Sequence, residues 1–284
     1  MTEFELKPWH TFVIAEAGIN HNGSLETAKQ LVDAAKDADC DCVKFQVKTP
    51  ILTLPQALWN VERDTPWGRM TYLAYRERIE LSPADLAELV RYCREKDIIF
   101  AASPWDCKSA DTLFELGSAF IKVASASVTN LDLLKHIAKM GKPVVMSTGM
   151  SDGVMVKDAV KILYPNVPSL SLLACTSKYP APIDQLHLSR MDTLRKEFPG
   201  CHVGYSGHEV GLWTTLCAAA MGAEIVERHI TLDRSMVGSD HAASVEPQGM
   251  KVLVREIRNL EMARGFGLLG VLDCEQADVK RLRG

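Results

Sequence analysis

The feature that most constrains the fold is an alternation between short apolar, β-branched runs and segments with helical periodicity. Several predicted helices begin with cap chemistry, at Ser24, at Ser82-Pro83 and at Ser151-Asp152. The eight predicted strands are residues 12–16, 42–46, 98–102, 120–124, 143–147, 170–174, 202–206 and 224–229. The predicted helices between them are residues 25–38, 83–96, 110–115, 131–139, 154–163, 212–221 and 248–263.

This order of elements predicts an α/β protein built as a single (β/α)8 TIM barrel. The strands are nearly all continuously apolar, which is typical of parallel strands buried on both faces. An open doubly wound sheet is the alternative, but its usual glycine-rich first turn is absent. The one long interruption, residues 49–80, is expected to pass over the barrel mouth. With no linker or charge run in view, we expect one catalytic domain over residues 1–284.

Composition excludes several classes of partner. The chain has 32 Lys and Arg against 36 Asp and Glu, so its formal net charge is -4 and no basic field favours nucleic acid or anionic lipid. No apolar run is long enough to cross a bilayer, and the first residues, with Glu3 and Glu5, do not resemble a secretion signal. The eight Cys contain no CxxC pair. A cytoplasmic location is therefore expected, with neither nucleic acid nor membrane as partner.

Polar residues predicted to point into the barrel indicate a functional site. Because strand side chains alternate, residues on one face can be identified from their spacing. Charged side chains are rarely buried without a function, and the carboxyl ends of barrel strands carry the catalytic groups. At those ends the alternation aligns the following residues with the interior: Glu16, Lys44, Gln46, Lys122, Ser206, His208, Glu227 and His229.

Two smaller patterns suggest the chemistry. His208 and His229 follow adjacent strands, a spacing that suits two ligands of one divalent ion, with Glu227 and Asp240 nearby in sequence. Two imidazoles alone would leave positions for substrate and water. The second pattern is an anion cradle, because two ammonium groups and four hydroxyls lie at or after strand ends. Its members are Lys44, Lys122, Ser103, Ser125, Ser147 and Ser206.

Several motifs in order along the chain resemble the catalytic barrel of the sialic acid synthase family. They are IAEAGINHNG (14–23), VKFQ (43–46), MSTGM (146–150), GYSGHE (204–209), ERHIT (227–231) and SDHAASVEP (239–247). The resemblance runs from about residue 12 to the C-terminus. It implies a transferase that condenses phosphoenolpyruvate with an aldose or acylated amino sugar. The products would be a 2-keto-3-deoxy nonulosonic acid and phosphate.

Carried over by position, the resemblance also implies residue roles. His208 and His229 would hold a divalent metal, manganese or alternatively magnesium, which would polarise the sugar aldehyde. Glu16 would be the general acid/base, with Asp240 as the second candidate. The phosphoenolpyruvate ligands would be Lys44, Ser103, Lys122, Ser125, Ser147 and Ser206, and the sugar-facing residues Glu16, Gln46, Tyr179 and Asp240.

The sequence departs from the family pattern near the acceptor sugar. Ser127 stands where an acidic residue is common, and Ser177 replaces a usual Asn. We also expect no antifreeze-like domain, the domain through which members of that family tend to dimerise. We therefore expect any homo-oligomer to form through the barrel, with residues 49–80 as one candidate surface. The identity of the acceptor is the most open question.

Two other functions fit parts of the pattern. A lyase or aldolase could use Lys122 or Lys44 as a Schiff-base amine. A non-catalytic sugar-binding barrel would need neither metal nor acid/base groups. Related synthases of phosphorylated aldoses are not favoured, because the sequence reveals no second basic site.

Overall fold

The structure is a computed structural model that describes residues 4–265, 267 and 269–283. Residues 1–3, 266, 268 and 284, included in the expected domain 1–284, lie outside the described residues. In chain order the strands are β1 (Phe12–Gly18), β2 (Cys42–Val47), β3 (Glu62–Thr65), β4 (Gly68–Thr71), β5 (Ile99–Pro104), β6 (Ile121–Val123), β7 (Val144–Ser147), β8 (Leu170–Cys175), β9 (His202–Gly207) and β10 (Ile225–His229).

Eight parallel strands close into a barrel, which confirms the predicted fold class. The order around the barrel is β1, β2 and then β5 to β10, and β10 pairs with β1. The helices in chain order are α1 (Leu25–Asp37), α2 (Pro50–Thr53), α3 (Tyr72–Arg78), α4 (Pro83–Glu95), α5 (Cys107–Glu115), α6 (Leu131–Ala138), α7 (Gly153–Leu163), α8 (Arg190–Glu197), α9 (Trp213–Ala220), α10 (Pro247–Arg264) and α11 (Gln276–Arg283).

The predicted helices are all present with small shifts of their ends. Four α-helices of the described residues were not predicted: α2 and α3 within residues 49–80, α8 and α11. Helix α8 lies between β8 and β9 and buries only Met191 and Leu194, while most of its other residues are charged or polar. Its sequence therefore lacks the broad apolar stripe on which helix prediction depends. The predicted caps hold at Ser24 and Ser82, and at the third site Asp152 rather than Ser151 accepts the backbone N–H groups of Val154 and Met155.

The barrel interior is apolar at one end and polar at the other. The lower layer is closed from below by Phe4, whose ring centroid is 5.1 Å from that of Phe12 and 4.6 Å from that of Phe120. Its buried members are Phe12, Ile14, Cys42, Ile99, Ala101, Phe120, Val145, Leu173 and Ile225. Interior side chains beyond this layer, towards the carboxyl ends of the strands, are polar, so they face one opening only.

Residues 49–80 form the expected excursion at the carboxyl end of β2. They contain α2, the antiparallel β3–β4 hairpin and α3. The far end of the excursion packs against the β1–α1 loop, where a Cβ on Gly23 would lie 2.1 Å from the Arg78 carbonyl oxygen. Gly23 also has a φ of +77°, so glycine is needed there on both counts. In the described part of the chain, no helix is both long and apolar enough to span a membrane.

Candidate active site

The carboxyl ends of the barrel strands surround a cavity of about 200 Å³. Asp240 is not one of the residues that line the cavity, but it lies close to them. Its Oδ2 is 3.9 Å from Nδ1 of the lining residue His229. The other predicted site residues line the cavity together: Glu16, Lys44, Gln46, Ser103, Lys122, Ser125, Ser147, Tyr179, Ser206, His208 and His229. Residues from all eight barrel strands or the loops that follow them thus meet at one point, as parallel strands of a barrel require.

Four charges form the floor of the cavity. Nζ of Lys44 is 2.5 Å from Oε2 of Glu16 and 3.8 Å from Oε1 of Glu227. Nζ of Lys122 is also 3.8 Å from Oε1 of Glu227. All four side chains are almost completely buried. Two ammonium groups therefore share a carboxylate between them, and the interior charges balance before any substrate binds.

Burial and these neighbours shift the pKa values in different directions. Burial raises the pKa of Glu16, and Lys44 only partly offsets this. Although burial opposes it, the charges of Glu16 and Glu227 raise the pKa of Lys44. Burial lowers the pKa of Lys122, which has Glu227 as its main counter-charge. Lys44 is thus held as the cation, while Glu16 has the raised pKa expected of a proton-transferring acid/base.

The four predicted serines stand around this floor. Lys44 donates to Oγ of Ser103 at 3.1 Å, and Lys122 donates to Oγ of Ser147 at 2.7 Å. The hydroxyl of Ser206 donates to Oε1 of Glu227 at 3.3 Å. Hydroxyls and ammonium groups that converge in this way can bind an anion with several charge-assisted hydrogen bonds.

Gly149 brings the backbone close to the fourth serine. Its N–H donates to Oγ of Ser125 at 3.1 Å. A Cβ at position 149 would lie 2.9 Å from that oxygen and 2.3 Å from Oγ of Ser177. Glycine is therefore required for the backbone N–H to approach the anion cradle at this point.

The two predicted metal ligands are neighbours above the charged floor. The ring centroids of His208 and His229 are 5.3 Å apart. Nδ1 of His208 lies 2.9 Å from the carbonyl oxygen of Thr176, a contact in which Nδ1 donates and Nε2 keeps its lone pair. Burial lowers the pKa of His229 to about 3, so its imidazole is neutral, and its buried Nδ1 has no hydrogen-bond partner.

These two imidazoles fit part of a divalent-metal site. Neutral imidazole is the commonest metal ligand in proteins, and Nδ1 of His229 is not engaged in a hydrogen bond with any described residue. Among the residues that the structure describes, no group of three or more His, Cys, Asp or Glu could hold a metal by itself. The arrangement therefore suits an ion that completes its coordination with substrate and water.

Tyr179 and Cys175 complete the wall beside the histidines. The ring of Tyr179 is 4.1 Å from that of His208 and 5.6 Å from that of His229, centroid to centroid. Sγ of Cys175 lies 3.5 Å from Oγ of Ser125 and 3.8 Å from Nδ1 of His208. Sequence reasoning treated the cysteines only as buried thiols. The inward alternation on β8, where Cys175 is the last residue, was a usable signal for it.

Glu227 is the most important inward-facing residue to which the sequence assigned no role in catalysis or binding. The sequence placed it near the metal ligands, but the structure shows it between Lys44 and Lys122. Its Oε2 is buried without a hydrogen-bond partner, so it can accept one from a ligand or water. Its alternation with His229 on β10 had placed it in the interior, but the contacts with two lysines from other strands were not visible in the sequence.

The two positions that depart from the family pattern differ in placement. Ser177 lines the cavity, and its Oγ is 3.8 Å from Sγ of Cys175. Ser127 is buried, and its neighbours Ser125 and Ala126 line the cavity instead. A larger cavity of about 420 Å³ lies at the opposite end of the barrel, beside α9 and α10, and contains none of the predicted site residues.

Together, the fold and this site define a class of protein: a (β/α)8 barrel with a buried anion cradle beside two metal-competent imidazoles. Residues 31–268 match the NeuB family. The chain belongs to this family and is a sialic acid synthase-like enzyme.

Individual relatives agree with this assignment. The chain is 37% identical to the N,N'-diacetyllegionaminic acid synthase of Campylobacter jejuni, over 96% of this chain and 83% of that protein. It is 38% identical to human N-acetylneuraminate-9-phosphate synthase, over 95% and 76% respectively. Its structure matches the N-acetylneuraminic acid synthetase of Leptospira borgpetersenii, solved with citrate, at a TM-score of 0.83 and 31% identity, covering 96% of this chain and 92% of that one.

Proposed function

We propose that this enzyme condenses phosphoenolpyruvate with the open-chain form of an acylated amino sugar or related aldose. The products are a 2-keto-3-deoxy nonulosonic acid and inorganic phosphate. The observation that carries the proposal is the pair of buried lysines, Lys44 and Lys122, surrounded by serines directly beneath the two histidines. A small dianion bound there would lie next to any group held at His208 and His229.

The relatives support an acylated amino sugar as acceptor without choosing its charge. The Campylobacter jejuni enzyme is named for N,N'-diacetyllegionaminic acid, and the human enzyme for a 9-phosphate of N-acetylneuraminate. The chain is almost equally similar to both. Overall identity therefore leaves a neutral and a phosphorylated acceptor equally eligible.

The floor residues hold phosphoenolpyruvate and neutralise its charge throughout the reaction. Lys44 and Lys122 face the phosphate and carboxylate with hydroxyl support from Ser103 and Ser147. Because the cavity is buried, these cations act in a medium where charge interactions are stronger than in water. The same cations stabilise the phosphate as it leaves.

Glu16 moves the protons. Carbon 3 of phosphoenolpyruvate bonds to the aldehyde carbon, and the carbonyl electron pair moves to the aldehyde oxygen, which takes a proton from Glu16. A water then bonds to carbon 2, and the Glu16 carboxylate accepts the first proton that the water loses. The second proton of that water passes to the leaving phosphate as the bond from carbon 2 to the phosphate oxygen breaks, which leaves the keto acid. The raised pKa of Glu16, caused by burial, suits both accepting and returning a proton.

His208 and His229 would hold a divalent ion, for which we propose manganese. When bound, such an ion supplies Lewis acidity to a substrate carbonyl oxygen. Gln46, which donates to Oε1 of Glu16 at 3.1 Å, and Tyr179 beside the histidines would orient the sugar. Asp240, 3.9 Å from His229, is the second candidate for acid/base work.

A Schiff-base lyase is the second candidate, because burial lowers the pKa of Lys122 as such an amine requires. The contacts of that amine nevertheless stabilise its protonated form and offset part of the effect of burial. Its Nζ donates to Ser147 and to the Val123 carbonyl oxygen and faces Glu227. We therefore expect no pyruvate-dependent trapping by borohydride.

Phosphate release from phosphoenolpyruvate, measured across a panel of aldoses and acylated hexosamines with saturating manganese, tests the proposal. We expect release with at least one acceptor, loss of activity with EDTA and recovery with manganese or magnesium. His208→Ala and His229→Ala should lose metal-dependent turnover and manganese affinity yet keep the wild-type circular dichroism spectrum. Absence of release with every acceptor, or turnover unchanged in either variant, would contradict the proposal.

A further inference from the structure

A lysine and a tryptophan form a further layer above the predicted catalytic groups. Lys44 and Gln46 point inward from β2, and Lys48 has the same parity just beyond the end of that strand. On neighbouring β5, Ser103 pairs with Gln46, and Trp105 follows two residues later and lines the cavity. The N–H of Trp105 donates to the Val47 carbonyl oxygen at 3.1 Å, which continues the sheet pairing to this height.

Trp105 holds the ammonium group of Lys48 at the mouth of the cavity. Nζ of Lys48 lies 3.8 Å from the centroid of the Trp105 ring, a cation–π distance. Among the described residues, no carboxylate oxygen lies within ion-pair distance of that nitrogen. Nε1 of Trp105 is itself buried without a hydrogen-bond partner. The ammonium group of Lys48 and the indole N–H of Trp105 therefore lie side by side, and both lack a hydrogen-bond acceptor within the described ranges.

Lys48 and Arg76 share the carboxylate of Glu80 in this layer. The excursion brings Arg76 and Glu80 alongside, with Nη2 of Arg76 at 3.8 Å from Oε1 of Glu80. Asp106, which follows Trp105 in the chain, is occupied by the N–H and hydroxyl of Thr49 and by Ser109. Two cations thus face one carboxylate of their own layer, while Glu16 and Asp240 act on Lys48 from across the cavity.

Burial is the main reason that Lys48 would gain from an anionic ligand. Burial, with a contribution from Arg76, lowers the pKa of Lys48 to about 8. Burial also raises the pKa of Glu80 to about 7, which weakens it as a counter-ion near neutral pH. An anion beside Lys48 would offset the loss of hydration that burial imposes on the ammonium group.

We propose that Lys48, seated on Trp105 and assisted by Arg76, is a second anion site, which binds a phosphate or carboxylate on the acceptor sugar at the end away from its aldehyde. Lys48 is four residues beyond Lys44, roughly 13 Å along the strand direction. The acceptor therefore occupies the space between the phosphoenolpyruvate site and the mouth, with its charged end outermost. This assignment rests on the proposed condensation and adds the substrate class, an anionic acceptor. The sequence revealed no such site because Lys48 reads as an ordinary lysine after a strand.

Matched acceptors test the assignment. Steady-state phosphate release is measured with an acylated hexosamine, its 6-phosphate and the corresponding hexuronic acid, which separate neutral, phosphate and carboxylate ligands. We expect wild-type kcat/KM to be highest for one of the anionic acceptors. Lys48→Met keeps the length of the side chain and should lower kcat/KM for that acceptor by about tenfold to 100-fold, mainly through KM, with little change for the neutral sugar.

Lys108→Met is the matched control, since Lys108 is an exposed lysine at the same end of the barrel on α5. It removes the same charge and should leave all three acceptors unchanged. An equal loss in Lys48→Met for neutral and anionic acceptors, or a wild-type preference for the neutral sugar, would overturn the anion site and leave the condensation intact. If no acceptor supports phosphate release, the condensation fails, and calorimetric binding of the hexosamine 6-phosphate at saturating phosphoenolpyruvate then decides the anion site. Tight binding that Lys48→Met weakens supports it, and binding unaffected by the substitution overturns it.

Discussion

At the scale of single residues, the alternation of side chains at the carboxyl ends of β9 and β10 separates the predicted metal ligands from the residues that hold these two segments together. His208 and His229 face the cavity, whereas Glu209 and Arg228, each one position away, face outward. Nη1 of Arg228 donates to Oε1 of Glu209 at 3.1 Å, and Nη2 donates to the Glu209 carbonyl oxygen at 2.7 Å. This buried pair ties the loop after β9 to β10, the two elements that carry the histidines.

Removal of one partner of this pair should be costly. Arg228→Met leaves the Glu209 carboxylate buried without its counter-charge, so we expect a loss of about 3–5 kcal/mol in the free energy of unfolding. Urea denaturation checks this value. The double variant Arg228→Met with Glu209→Leu should recover much of the loss, because it leaves no unpaired charge.

The exposed Arg91, which contacts Glu88 and Glu95 on the same helix, is the control, and Arg91→Met should change stability little. If Arg228→Met proved as stable as Arg91→Met, the buried pair would have no supporting role.

At the scale of elements, the accuracy with which a helix or strand could be predicted from the sequence depended on how regular its apolar pattern is. Apolar strands and broadly amphipathic helices were predicted within a few residues of their observed ends. Helix α8 was missed because its apolar side is only two residues wide. The content of residues 49–80 was also beyond prediction, since a short hairpin and two short helices carry little periodicity of their own.

A second link between elements lies at the amino ends of β9 and β10. Nδ1 of His202 is 2.6 Å from Oε2 of Glu224, and the other carboxylate oxygen accepts from the Val203 N–H at 3.0 Å. This contact raises the pKa of His202. It also lowers the pKa of Glu224, although burial opposes the shift. Both shifts favour the charged pair in the folded state.

The pair should make stability depend on pH in a defined direction. The contribution of His202 is complete below its unfolded pKa near 6.5 and is lost as pH rises through its raised folded pKa. The contribution of Glu224 is present above its unfolded pKa near 4.5 and is lost as pH falls through its lowered folded pKa. The gain is therefore largest between those unfolded values and is moderated by partial exposure.

His202→Gln should accordingly lower the thermal midpoint more at about pH 5.5 than at about pH 8.5. Glu224→Gln serves as the reciprocal control and should show the same trend. A larger effect on the alkaline side would show that the contact does not involve the imidazolium.

At the scale of the whole molecule, the barrel interior is closed at the amino ends of its strands and open at their carboxyl ends. Phe4 and the apolar lower layer close one end, and the charged floor faces the other. Because Lys44 and Lys122 are balanced by Glu16 and Glu227 when no substrate is bound, an incoming phosphate competes for the same cations. Because the cavity exists only in the folded protein, a ligand that binds there stabilises the whole barrel against unfolding.

We expect phosphoenolpyruvate at about 100 times its Kd to raise the thermal midpoint by roughly 4 to 5 °C, which corresponds to about 2.7 kcal/mol. Lys122→Met removes one of the two cations and should abolish most of this shift, whereas Lys108→Met should retain it. Differential scanning fluorimetry with and without the ligand provides the measurement. If Lys122→Met kept the full increase in thermal midpoint, Lys122 would not be part of the anion cradle that binds phosphoenolpyruvate.

The amino-acid sequence by itself determined the barrel and most of the inward-facing set, because both follow from local periodicity. Eight apolar runs with intervening helices specify the closed parallel sheet, and a period of two along each strand specifies which side chains face inward. Only the tertiary structure decided how Glu227 sits between two lysines, how Glu209 pairs with Arg228, and how Lys48 stacks on Trp105. These contacts join residues from different strands or loops, and their heights depend on the register between strands, which no single segment encodes.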